Sequence, residues 1–358
     1  MKKLYVIKGN NMFDTLEPIN PQVFQIAWES TLKCNLDCSY CGDGHDNKQP
    51  HPPLAESLDT VDFIVNYVSQ IMKTRKNKEA SLNIQGGESL VHPKIVEILR
   101  YANRAATTVD WKLYINTITN AVVKDKVWHR LVPFINFFTI SFHSESSYTQ
   151  QDQVRKNILY IKELGKQFHV SILMHPKYWD TCESMVNWCK ENDVKYNIRQ
   201  IDHHWTDFRF NYSKEQIEYI TGSAPASVLQ IAKAVVTGGF DLSASSRECC
   251  GGLEMCTNQT ACTKRVENKF KGWHCSVDKQ FLYIRQTTGE VFTNKDCRMN
   301  WDGKVGPIGN LKDTAAILKR VADGTNTIIC KKSSCWCGIC APKAKHKEDY
   351  DRIMLKYV

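Results

Sequence analysis

"CNLDCSYC", residues 34–41, follows the apolar run "VFQIAWES" at 23–30 and decides how the rest of the chain is read. Three cysteines stand at CxxxCxxC spacing, and the next cysteine is Cys182. A zinc site takes four tetrahedral ligands, or three plus water, so nearby His45 makes a Cys3His site one reading. A 4Fe–4S cube uses one thiolate per iron, so three thiolates leave one iron open to a ligand that is not protein. The spacing alone leaves both open.

The chain of 358 residues is long enough for one large domain and a smaller one. Hydrophobic content of 42% and charged content of 24% suit an ordinary globular protein. No apolar run reaches membrane-spanning length. The start "MKKLYVIKGNNMF" has too short an apolar part for a signal peptide, so a cytoplasmic protein without a membrane partner is expected. In a reducing compartment, 15 cysteines argue for metal binding or catalysis over disulfides. The net charge of +9 is spread along the chain, which is compatible with a solvated lysine-rich surface or with an acidic partner. No nucleic-acid-binding motif is present, though nucleic acid stays open as a partner.

Strand-like and helix-like segments alternate from 23 to 202. The strands are expected at 23–29, 81–85, 111–116, 136–142, 169–174 and 194–201. Helical periodicity marks 59–72, the stretch after Pro93, 124–132, 152–166 and 180–191, with Asp180 as an N-cap. Six βα units in series predict parallel strands, in a partial (β/α)6 barrel or an open doubly wound sheet. Chemistry in such folds gathers at the carboxyl ends of the strands, and "CNLDCSYC" follows the first of them.

CxxxCxxC after the first strand of a βα series resembles the signature of the radical S-adenosylmethionine (radical SAM) enzymes. The resemblance implies a 4Fe–4S cluster on Cys34, Cys38 and Cys41, with S-adenosylmethionine chelating the open iron. It also implies cleavage to a 5′-deoxyadenosyl radical that takes hydrogen from a substrate. Tyr40 matches the aromatic position beside the adenine. "QGGESLVHP" after the second strand resembles the family's GGE(P) motif, with Ser89 in place of proline. There Gly86 and Gly87 let the backbone approach the ligand, and Glu88 can accept from the methionyl ammonium. "TISFHSE" places Ser141, and His143 after it, where the family contacts ribose or carboxylate. "TITNA" resembles the family's TNG with Ala121 replacing glycine, at Asn120. Arg199 is a candidate carboxylate partner or a surface ion pair. Cys182 and Cys189, at helical spacing with Met185, read as core.

Ten cysteines lie beyond residue 248. "QFLYIRQTTGEVFT" reads as a hairpin turning at Gly289, with Cys275 and Cys297 on either side. A helix near 313–323 leads to "CKKSSCWCGIC". The order resembles the SPASM or shorter twitch extensions, which carry auxiliary 4Fe–4S clusters. It implies one auxiliary cluster on Cys275 and Cys297 with two of Cys330, Cys335, Cys337 and Cys340. A structural zinc site is the alternative. Cys249, Cys250, Cys256 and Cys262 match no template.

The expected organisation is an N-terminal extension at 1–22, a radical SAM partial barrel at 23–202, a helical connector at 203–248 with helices near 213–221 and 226–236, and a cysteine-rich auxiliary-cluster domain at 249–358. The resemblance implies a peptide or protein substrate that is oxidised, crosslinked or epimerised, with a nucleotide, sugar or other small metabolite as the alternative. It also implies a reductant such as flavodoxin or ferredoxin. A zinc-stabilised nucleic-acid-binding protein is the rival of another class.

Overall fold

The computed structural model describes residues 5–6, 15–18, 23–41, 46–201, 210–222, 271–293, 307–323, 328–330 and 343–355. Two short strands, β1 (Tyr5–Val6) and β2 (Thr15–Pro18), come first. The βα series follows as β3 (Phe24–Thr31), α1 (Leu54–Met72), β4 (Glu79–Gly86), α2 (Ile95–Ala106), β5 (Lys112–Thr119) and α3 (Asp125–Leu131). It continues through β6 (Phe137–Phe142), α4 (Tyr148–Glu163), β7 (Gln167–Met174), α5 (Trp179–Glu191) and β8 (Tyr196–Gln200), after which α6 (Lys214–Gly222) stands alone. Beyond it lie β9 (His274–Cys275), α7 (Val277–Gln280), β10 (Phe281–Arg285), β11 (Glu290–Phe292), β12 (Gly309–Asn310), α8 (Thr314–Ala322), β13 (Ile328–Ile329), β14 (Lys343–Ala344) and α9 (Lys347–Met354).

Strands β3 to β8 are parallel and adjacent in sequence order, so the expected partial-barrel sheet is present. Its two faces differ sharply. Phe24, Ile26 and Trp28, then Ala80, Leu82 and Ile84, then Phe138, Ile140 and Phe142, then Val170, Ile172 and Met174 are all buried in the main core. Many alternate positions are polar (Gln25 and Glu29, Ser81, Asn83 and Gln85, Asn116, Ser141, Ser171, and Asn197 with Arg199), while Ala27, Ile118, Phe137 and Leu173 on the same face are apolar. A parallel sheet buried on both faces reads as nearly continuous apolar runs. A period-2 alternation instead leaves one face polar, the face a polar ligand would use.

The helices start where local chemistry allows. Ser147 caps α4 through a capping box with Gln150, so the helix begins at Tyr148 although its apolar spacing begins only at Val154. Asp180 is not the N-cap of α5. The helix begins at Trp179, which puts Asp180 in the first turn, where a carboxylate meets the positive end of the helix dipole.

The hairpin turns at Gly289 (φ +70°), as expected, and its place in the fold is the less obvious finding. Strand β10 pairs in parallel with β3, so β10, β11 and β12 extend the barrel sheet to nine strands. Besides this ladder and the buried Leu282, Ile284 and Val291, one buried polar side chain secures the attachment. Gln286 Oε1 accepts from Trp28 Nε1 at 3.0 Å and from Thr60 Oγ1 at 2.7 Å, tying the hairpin to β3 and α1. Arg75 adds a bond to the Lys279 carbonyl at 2.7 Å. Ile317 of α8 also packs in the main core. A second sheet, β1-β2-β14-β9-β13, has only antiparallel pairs. The expected helix at 226–236 lies outside the described residues.

Candidate active site

The cysteine loop leaves β3 at its carboxyl end and is held there by backbone. Gly87 N–H donates to Thr31 O at 2.9 Å and Glu88 N–H to Lys33 O at 2.7 Å, so the turn after β4 is stitched to the loop after β3. Both glycines are obligatory for that approach. A Cβ on Gly86 would lie 2.1 Å from Thr31 O, and one on Gly87 2.3 Å from Lys33 O. Gly86 also has φ +150°, which side-chain-bearing residues rarely adopt. Within the protein, then, the close approach that these glycines permit is to the cysteine loop itself.

Glu88 is 1% exposed and makes the next link. Its Oε1 accepts from Leu90 N at 3.0 Å and its Oε2 from Asn120 N at 2.6 Å, while Thr119 Oγ1 stands 3.0 Å from each. The carboxylate thereby joins the turn after β4 to the end of β5. Burial pushes its pKa up to about 7 against these hydrogen bonds. Asn120 carries the link onward: its Nδ2 donates to Asn35 Oδ1 at 2.8 Å and lies 3.8 Å from Cys34 Sγ. Ala121, standing where the resembled motif has glycine, adopts φ +55°. It keeps the left-handed turn without the glycine.

The other wall comes from β6 and β7. Glu145 accepts from Ser39 N and Ser39 Oγ, both at 2.6 Å, and faces His175 Nε2 at 3.2 Å. Tyr40 OH and His143 Nδ1 share a hydrogen bond at 2.8 Å, and Cys38 Sγ lies 3.4 Å from the same nitrogen. Burial lowers the His143 pKa to about 4, so the ring is neutral near pH 7. Tyr40 also stacks on His143 and abuts His175 and Phe210. Ser141, in register with Ser171, is half-buried on the polar face, and its hydroxyl has no partner among the described residues. Arg199 lies on that face near the end of β8.

The three thiols suit an iron–sulfur cube by their chemistry. Burial pushes Cys34 up to about 11 and Cys38 to about 12 and raises Cys41, and the charge of Cys41 raises the other two further. Protonated thiols that disfavour each other's ionisation become ligands when a cation removes their protons. Among the described residues, no three Cys, His, Asp or Glu groups gather where one ion could sit. A cube binds each thiolate to a different iron and needs no such convergence. His45 lies outside the described residues.

Sequence reasoning missed Asn35, Thr119, Glu145 and His175. Glu145 stood in the quoted "TISFHSE", but nothing local marked it as the partner of Ser39.

Of the C-terminal candidates, Cys275 lies on β9 and Cys330 just after β13, both buried. Their strands pair, and Cys330 N–H donates to Trp273 O at 2.9 Å. None of the seven described cysteines forms a disulfide. Cys297, Cys335, Cys337, Cys340 and the segment with Cys249, Cys250, Cys256 and Cys262 lie outside the described residues.

Residues 28–189 match the family model described as the radical SAM superfamily, so this stretch is a radical SAM domain. It is a domain of enzymes that use a 4Fe–4S cluster and S-adenosylmethionine. Among individual proteins, the chain is similar to an AdoMet-dependent heme synthase of Methanosarcina barkeri, 32% identical over 84 residues. That match covers 24% of this chain and only 22% of the relative. The fold is similar to anSMEcpe with bound AdoMet and Kp18Cys peptide, at TM-score 0.52 and 13% identity, over 93% of this chain and 96% of that one. It is also similar to Streptococcus suis SuiB bound to precursor peptide SuiA, at TM-score 0.51 and 14% identity, over 89% of this chain and 70% of that one.

Proposed function

We propose that the chain is a radical SAM enzyme acting on a peptide or protein, which it oxidises, crosslinks or epimerises. The observation that carries the class is the cysteine loop locked to the Gly86–Gly87–Glu88 turn at the carboxyl end of the sheet. A 4Fe–4S cluster on Cys34, Cys38 and Cys41, with S-adenosylmethionine on its open iron, would supply the 5′-deoxyadenosyl radical that abstracts hydrogen. The chain's own groups bind and orient. Glu88 and the Gly86–Gly87 carbonyls would receive the methionyl ammonium, the Tyr40 ring would pack beside the adenine, and the Ser141 hydroxyl would meet ribose or carboxylate. Cys275 and Cys297, with two of Cys330, Cys335, Cys337 and Cys340, would hold one auxiliary 4Fe–4S cluster. A reductant such as flavodoxin or ferredoxin supplies the electron.

The peptide reading draws support from two fold relatives, SuiB and anSMEcpe, whose structures hold peptides. Its test is direct. The reconstituted protein, with reductant and S-adenosylmethionine, is offered a peptide library alongside nucleotides and sugars. A change in peptide mass is expected. Turnover of the small metabolites alone would overturn the peptide assignment.

A further inference from the structure

The start of α4 and the turn before it grip the cysteine loop at two points. Gln150 Nε2 donates to Asn35 O at 3.4 Å. Glu145 takes both donors of Ser39, the N–H on Oε2 and the hydroxyl on Oε1, each at 2.6 Å. Ser146 fixes the turn itself, its N–H and its hydroxyl donating to His143 O at 3.1 and 2.7 Å. Ser39 lies between Cys38 and Cys41, so the tighter grip falls inside the CxxC half of the motif. Hydrogen bonds to an ionised acceptor are short and about twice as strong as neutral ones.

The carboxylate also brings a charge. Its side chain is only 14% exposed, and among the described residues no lysine or arginine pairs with it. His175 Nε2 stands 3.2 Å from Oε1. Lys177 N–H donates to His175 Nδ1 at 3.1 Å, which leaves the proton of a neutral ring on Nε2. Burial lowers the His175 pKa, so near pH 7 the ring does not neutralise Glu145. The negative charge of Glu145 also raises the Cys38 pKa, so it is felt at that sulfur.

We propose that Glu145 sets the cysteine loop for the cluster on Cys34, Cys38 and Cys41 and holds that cluster's reduction potential down. The proposal rests on the cluster assignment above. Cluster potentials depend on net charge and surroundings. Reduction adds an electron, so a nearby anion disfavours the reduced form and makes it the stronger donor. Glu145 acts through Ser39 and through its field, as a positioning residue and not as a catalytic one.

The test uses the anaerobically reconstituted full chain and follows the electron paramagnetic resonance of the reduced cluster against poised potential. Only signal absent from the variant with Cys34, Cys38 and Cys41 all changed to Ala is counted, which sets aside iron held elsewhere. Glu145→Gln keeps both contacts, because its amide oxygen can accept from Ser39 N–H and its amide nitrogen can donate to Ser39 Oγ. This variant should retain the parent's iron and shift the reduction equilibrium about tenfold toward the reduced form, a rise of about 59 mV for one electron. Ser39→Ala loses only the hydroxyl bond and should stay near the parent potential. Glu145→Ala loses clamp and charge together and should hold clearly less iron at this site. Equal potentials in Glu145→Gln and the parent overturn the proposal, as does a rise in Ser39→Ala as large as that of the Gln variant. So does full iron in Glu145→Ala, or a loss of iron in Glu145→Gln. A parent without the signal overturns the cluster assignment to these cysteines, and the proposal with it.

Discussion

Glu88 offers the sharpest test of how the site is assembled. Its carboxylate is buried and accepts from Leu90 N, Asn120 N and Thr119 Oγ1, yet burial outweighs these bonds and raises its pKa from 4.5 to about 7. That shift is worth about 3 kcal/mol. The folded-state pKa lies above the unfolded one, so this contribution to stability is complete below pH 4.5 and is lost as pH rises through 7. Glu88→Gln cannot titrate and lacks this pH dependence. It also leaves one of the two backbone N–H groups without an acceptor, at a cost of about 1–3 kcal/mol. Denaturant unfolding of both proteins from pH 4.5 to 8 should show the wild type's advantage shrinking by about 3 kcal/mol. A stability gap that stays flat across that range would refute the buried, desolvated carboxylate. The same variant should bind S-adenosylmethionine about one to two powers of ten more weakly, if the remaining acceptor capacity serves the methionyl ammonium.

Gly86→Ala should lower stability by about 1–3 kcal/mol and reduce iron in the first cluster, since the new methyl meets Thr31 O at 2.1 Å. Retention of full iron and stability would contradict the stitched loops. Asn120→Ala removes the bond to Asn35 and the acceptor for Val122 N, and should cost about 1–3 kcal/mol in unfolding experiments. Ala121→Gly should be nearly neutral. Relief of the left-handed backbone, about 1–2 kcal/mol, is offset by glycine's entropy, about 0.5–1 kcal/mol, and a lost buried methyl, about 0.8 kcal/mol. A change beyond about 3 kcal/mol in calorimetry would mean the turn is not as described.

The six parallel strands were legible because each carries its own period-2 signal and lies between helical segments. Helix starts were less so: the first turn of α4 is polar, and Ser147 and Gln150 fix it through a local cap that apolar spacing ignores. The hairpin could be read, but not the strand it joins. That depends on Gln286 meeting Trp28 and Thr60, contacts spanning 258 and 226 residues. The site divides in the same way. Cysteine spacing and the Gly-Gly-Glu turn are local patterns that sequence displays. Glu145 reaches Ser39 across 106 residues and Thr119 reaches Glu88 across 31, and only the folded sheet brings those loops together. Asn120 shows the middle case: its motif lacks the glycine, and Ala121 adopts the left-handed turn all the same.

The central claim is that Cys34, Cys38 and Cys41 hold a cluster whose open iron takes S-adenosylmethionine. The direct measurement is 5′-deoxyadenosine formed from S-adenosylmethionine by the anaerobically reconstituted, chemically reduced protein, beside the variant with all three cysteines changed to Ala. The account predicts product from the parent, even slowly and without substrate, and none from the variant. Undiminished cleavage by the variant would contradict it.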